Sequence, residues 1–117
     1  MKVSIYHNPN CGTSRKVLGL LRDRGIEPQV IEYLKTPPSR ERMETMLREM
    51  GLTPRQILRP RTALHVELGL DNPDLPDTAI LDALEAHPVL MERPVVVAPA
   101  GVRICRPAER LNEIVPA

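Results

Sequence analysis

The chain has 117 residues, 42% of them hydrophobic, with no Phe, no Trp and only two Tyr, so one domain with a core of Val, Ile, Leu, Met and Ala is expected. Sixteen basic side chains against fifteen acidic leave a formal charge of +1, which gives no ground for binding nucleic acid or a membrane surface. Thirteen of the sixteen cations are Arg, the side chain suited to forked recognition of oxyanions.

Taken in order, "KVSIYHN" predicts a first strand over about residues 2–7 from its β-branched and aromatic content. Asn8-Pro9-Asn10 is turn chemistry. A helix follows over about 13–24, with Val17, Leu18, Leu20 and Leu21 on one face and Gly25 as its stop. "PQVIEYL" predicts a second strand, and the pair makes a βαβ unit with neighbouring parallel strands. Ser39 caps the clearest helix, in which Met43, Met46, Leu47 and Met50 recur at i, i+3, i+4 and i+7 before Gly51. Such a methionine stripe is read as core rather than as a binding surface. Thr53-Pro54 opens a short helix, residues 60–76 are irregular or briefly helical, and Asp77 is expected to cap a helix over about 78–86. "RPVVVAPAGVRICRP" reads as a β-hairpin turning at Pro99-Ala100-Gly101, and Pro107 begins a short last helix.

The order is therefore β-α-β, several helices, then β-β-α. It matches an α/β chain of thioredoxin-like fold, with a mixed four-stranded sheet and a helical insertion at about 37–88, the whole of 1–117 forming a single domain. Folds of this type carry their redox cysteine after the first strand, where Cys11 sits. They place a cis-proline at the start of the third strand, for which Pro94 is the candidate.

Cys11 stands alone: Ser14 occupies the position of the second thiol in a Cys-x-x-Cys enzyme. A thiolate is favoured there by the helix N-terminus, by Arg15 and Lys16 in the first turn, and by His7 if the loop folds back. Asn, Pro, Gly and Ser around Cys11 point to an exposed rather than a buried sulfur. Ser14 and the backbone N–H groups from Gly12 to Arg15 suggest a small anion nest. A phosphatase-type loop is disfavoured, because it needs an Arg six positions after the Cys and position 17 is Val. The two cysteines and the histidines at 7, 65 and 87 make neither a metal-ligand spacing nor a disulfide framework. No metal and no bound cofactor are expected. With no leader pattern after Met1 and no apolar run of membrane-spanning length, the thiols are expected to stay reduced in a cytoplasmic protein.

The segments "YHNPNCGTSRKVL", "YLKTPPSRE", "ILRPRT", "ELGL", "HPVLMERPVVV" and "GVRICRP" together resemble the glutaredoxin-coupled arsenate reductases over essentially the whole chain. The resemblance implies Cys11 as nucleophile, His7 as support of its thiolate, Arg59, Arg93 and Arg106 as the oxyanion-binding arginines, and Pro94 as the cis-proline. It implies that Cys11 attacks arsenate and expels water, that glutathione as co-substrate adds to the adduct, and that glutaredoxin clears the remaining linkage as arsenite leaves. Second and third thiols from partners would make Ser14 acceptable. A monomer is expected, with no nucleic-acid or membrane partner.

Cys105 is read as a core residue rather than a resolving thiol. His65 and His87 are read as structural or solvated, and Arg61 and Arg103 as surface with at most a place on a positive rim. Two other functions share the fold. A glutathione-dependent thiol-disulfide reductase would have no need of three arginines. A thiol-sensing regulator that binds RNA polymerase would use the Cys-x-x-Cys switch that Ser14 breaks.

Overall fold

The computed structural model describes residues 1–60 and 62–117; Arg61 lies outside the described residues. The chain forms two compact units, one of residues 1–36 with 93–117 and one of residues 37–92.

The first unit holds the sheet. Strand β1 (Ser4–His7) leads into α1 (Gly12–Asp23), and β2 (Gln29–Glu32) returns parallel to β1. Strands β3 (Val95–Ala98) and β4 (Gly101–Ile104) form an antiparallel hairpin, and β3 also pairs antiparallel with β1. The order β2-β1-β3-β4 is the mixed four-stranded sheet the sequence predicts. The strands are shorter than the β-branched runs suggest: β1 begins at Ser4 and β2 stops at Glu32.

Ile5, fully buried, faces Val30 on one side and Val96 on the other. Val17 and Leu21 on α1 pack with Val3, Ile5, Val96, Leu111, Ile114 and Val115 in one cluster that includes Cys105. A side chain of this size contributes about 1.5–3 kcal/mol on full burial, so the cluster fixes both α1 and the last 3-10 segment (Ala108–Glu113) against the sheet. Arg24 ties the chain's end to the same place, donating from Nη1 to Val115 O at 3.0 Å and from Nη2 to Asn112 Oδ1 at 2.5 Å. α1 ends where Gly25 takes φ 77°, a conformation that costs glycine little.

The second unit is helical. In α2 (Arg40–Met50), Ser39 Oγ accepts from Arg42 N at 3.1 Å and Gly51 ends the helix at φ 68°. Met43, Met46 and Leu47 are buried and Met50 is half-buried, so the methionine stripe is core. A 3-10 turn (Pro54–Ile57) and a short helix α3 (Ala63–Glu67) follow. Helix α4 (Asp77–Ala86) departs from expectation at its start: Pro76 is the N-cap and Asp77 is already helical. Proline at that place has no capping side chain, while the Asp77 carboxylate in the first turn still complements the helix dipole. Ile80, Leu81 and Leu84 face inward. Arg40 Nη1 meets Asp82 Oδ1 at 2.7 Å, joining α2 to α4. Arg59 N donates to Leu90 O at 2.7 Å beside an antiparallel bridge between Leu58 and Met91. Among the described residues no helix is long and apolar enough to cross a membrane.

Candidate active site around Cys11

Strand β1 delivers His7 to its end, residues 8–11 turn the chain, and Cys11 is the N-cap of α1 with φ −103° and ψ 122°. Its residue exposure is 7%, so the sulfur is sheltered, against the exposure its turn setting predicts. Turn residues reveal the loop's polarity but not what packs against it, and Arg106 is one such neighbour: its Nη1 lies 3.6 Å from Cys11 Sγ. The same Nη1 is 3.4 Å from Arg93 O.

Burial is the largest single influence on the Cys11 thiol and would raise its pKa. The N–H of Ser14, the charge of Arg93, the hydrogen bond from Arg106 and the N–H of Thr13 together outweigh it and hold the thiol below its ordinary value. No cap hydrogen bond of regular geometry forms to the sulfur; the two N–H groups act as oriented dipoles of the first helical turn.

His7 enters this arrangement through Ser14. Its Nδ1 lies 2.6 Å from Ser14 Oγ, both residues being buried. Ser14 Oγ also accepts from Asn8 N at 3.1 Å. Desolvation, more than anything else, lowers the His7 pKa; Glu32 opposes this, and Arg22 and Arg15 add to it. Burial thus favours the neutral imidazole, in keeping with its hydrogen bond to Ser14. Arg15, expected to act on the sulfur by charge, instead donates from Nη1 to Pro9 O at 2.8 Å. A Cβ at Gly12 would meet only Arg15 Nη2 at 3.9 Å, so space does not demand glycine there.

The hairpin brings both its ends to the thiol. Arg93 precedes β3 and Arg106 follows β4, with Cys105 N donating to Pro94 O at 2.9 Å between them. The Arg93–Pro94 bond is cis, and so is Arg106–Pro107, which the sequence did not single out. Arg59 belongs to the helical unit. Cys105 is fully buried, and burial pushes its thiol up to about 12, as a core residue requires. Arg103 is engaged by Glu113, Nε to Oε1 at 2.9 Å. His65 lies in α3 and His87 follows α4. Among the described residues no group of three or more His, Cys, Asp or Glu gathers as a metal site. Asn8 is the residue that sequence reasoning passed over: it read only as turn chemistry, yet its main chain and side chain organise the loop.

Such a site presents a sheltered, acidified thiol with two guanidinium groups beside it, a setting for attack by sulfur on an oxyanion. Comparison with protein-family models matches the ArsC family over residues 6–114. An arsenate reductase of Rhizobium meliloti (strain 1021) is 53% identical over 116 residues, 99% of this chain and 83% of that protein. One from Escherichia coli is 45% identical over 97% of this chain and 81% of its own length. The solved structure of an arsenate reductase from Vibrio cholerae superposes with a TM-score of 0.94 at 44% identity, covering 98% of each chain. With the family's span, the thioredoxin-like sheet and the lone thiol at the head of α1 all in agreement, the chain belongs to the ArsC family.

Proposed function

We propose that this chain is an arsenate reductase, an oxidoreductase that turns arsenate into arsenite through a covalent adduct on Cys11. The observation that carries the reading is the Arg106 Nη1 to Cys11 Sγ contact of 3.6 Å, in a family whose relatives bear that name. Arsenate is an anion, and an anionic sulfur would repel it; guanidinium groups beside the thiolate offset that repulsion and bind the oxygens. Cys11 is the nucleophile, Arg93 and Arg106 are oxyanion ligands, and His7 with Ser14 holds the first turn of α1 in place. Gly12, Arg15 and Pro94 support the loop and the hairpin end. Arg59 is the third oxyanion ligand; what supports it is the likeness to the family.

The Cys11 thiolate displaces water from arsenate to give a sulfur–arsenic(V) bond. Glutathione, as co-substrate, forms a second sulfur–arsenic bond as a second oxygen leaves as water. Both sulfur–arsenic bonds then break, the two sulfurs give up two electrons and join as a Cys11–glutathione disulfide, arsenic falls from the pentavalent to the trivalent state and leaves as arsenite, and glutaredoxin clears the disulfide. Ser14, in place of a second cysteine, supports this dependence on outside thiols. The enzyme works as a cytoplasmic monomer and as one domain, with the helices of about 37–88 inserted into the sheet unit. That sulfur and both hairpin arginines come from one chain supports the monomer, and the sheet unit's division into 1–36 and 93–117 supports the insertion.

The test is arsenite formation by purified protein with glutathione, glutaredoxin and a recycling system, beside Cys11→Ser. Turnover that needs both partners and vanishes in the variant is the expected result. Arg93→Ala should lower arsenate turnover about ten- to a hundredfold, the worth of one charge-assisted contact, and spare reduction of a glutathione mixed disulfide. Silence with arsenate alongside disulfide reduction would assign the protein to thiol-disulfide exchange instead.

A further inference from the structure

In the loop between β1 and α1, every backbone N–H has an identified destination. Asn8 N–H donates to Ser14 Oγ at 3.1 Å. Pro9 has none. Asn10 N–H donates to Asn8 Oδ1 at 2.9 Å, and Cys11 N–H donates to Asn8 O at 3.0 Å. All three bonds involve one residue, which donates once and accepts twice, so every main-chain N–H of the loop is satisfied through Asn8. Its neighbour Pro9 also restricts Asn8 to extended backbone, which suits the departure from β1.

We propose that Asn8 is a positioning residue for Cys11: through its side-chain oxygen and its main chain it fixes the loop that brings the thiol to the head of α1. The inference rests on Cys11 being the nucleophile. The amide side chain matters because only Oδ1 holds the middle of the loop; the other two bonds are main-chain and survive substitution. Asn10 is exposed, so water replaces the lost partner there and stability changes little. What changes is how tightly the sulfur is kept over the Thr13 and Ser14 N–H groups. The charged groups bearing on Cys11 are Arg93 ahead of β3 and Arg106 after β4; His7 on β1 adjoins it through Ser14, and Glu32 on β2 with Arg22 and Arg15 on α1 act on His7. Replacing Asn8 by a neutral residue leaves all of them in place, so the thiol reports geometry alone.

The experiment is the pH profile of Cys11 alkylation by iodoacetamide, resolved by peptide mapping, in the wild type, Asn8→Ala and Asn8→Ser. Asn8→Ala should move the profile to higher pH, slowing alkylation at neutral pH by roughly three- to tenfold, with the alkaline plateau and the unfolding midpoint nearly unchanged. Asn8→Ser, whose hydroxyl can accept from the N–H two residues on, should recover most of the rate. An unmoved profile in Asn8→Ala, an Asn8→Ser profile as displaced as that of Asn8→Ala, or a lowered plateau would each overturn the proposal. Alkylation needs no arsenate, so a wild type that labels normally but makes no arsenite would remove the reductase reading and leave this one standing.

Discussion

Ser14 is completely buried, and its Oγ is shared by two hydrogen bonds, 2.6 Å to His7 Nδ1 and 3.1 Å to Asn8 N. Ser14→Ala deletes one oxygen and strands both partners, leaving a space of about one atom that no water can fill. A buried polar group left without a partner costs about 1–3 kcal/mol. His7, with 6% exposure, belongs near the top of that range, and the half-buried Asn8 N–H near the bottom. Together they amount to about 2–4 kcal/mol, which in a chain of this size lowers Tm on the order of 10 °C. Urea unfolding followed by circular dichroism measures the loss directly, and an unchanged m-value keeps the comparison valid. A double-mutant cycle with His7→Leu should return a coupling above about 0.5 kcal/mol. A Ser14→Ala cost below about 0.5 kcal/mol, the level of an ordinary surface change, would refute the buried pairing and with it the route from His7 to the thiol.

Two further outcomes follow from the same geometry. Iodoacetamide at neutral pH should label Cys11 and spare Cys105, whose thiol is buried and pushed up to about 12; comparable labelling of both in the folded protein would contradict the assignment of Cys105 to the core. Stability should also fall in acid because of His7. Its folded pKa lies below the unfolded 6.5, so its full contribution is present above that value. As pH drops through it the unfolded chain takes up the extra proton, and the loss continues until folded His7 is protonated too. Urea midpoints measured from about pH 8 to about pH 5 should decline more steeply in the wild type than in His7→Gln, and parallel curves would count against a buried neutral imidazole.

Much of this architecture is written in local pattern. Gly25 and Gly51 end their helices, Ser39 caps α2, and the β-branched runs around Pro99-Ala100 make the hairpin, because each signal acts over a few residues. The site is legible only in part. Cys11, Arg93 and Arg106 carry their chemistry in their residue types, but the contact of the sulfur with Arg106 joins residues 95 positions apart along the chain. No periodicity encodes that approach. Arg15 reads by its charge, whereas its hydrogen bond to Pro9 O belongs to the turn closed by Cys11 N and Asn8 O. Asp77 reads as a cap because capping residues and first-turn acids share a composition; Pro76 at the boundary decides between them. His7 was placed near the thiol, but that it works through Ser14 follows from three-dimensional pairing of two buried side chains.

The sheet unit draws its sulfur from residues 1–36 and both of its hairpin guanidinium groups from residues 93–117, and this sets a schedule for the nascent protein. At about 5–20 residues per second, roughly 5 to 20 seconds of translation pass between the making of Cys11 and the making of Arg106. Through that interval the thiol has neither Arg93 nor Arg106 beside it and is a weaker nucleophile than in the finished fold. The two charges therefore reach the thiol late, after the hairpin that carries them has been made. A polypeptide lacking the hairpin carries the cysteine and its helix N-terminus but neither of the two guanidinium groups that help to acidify it.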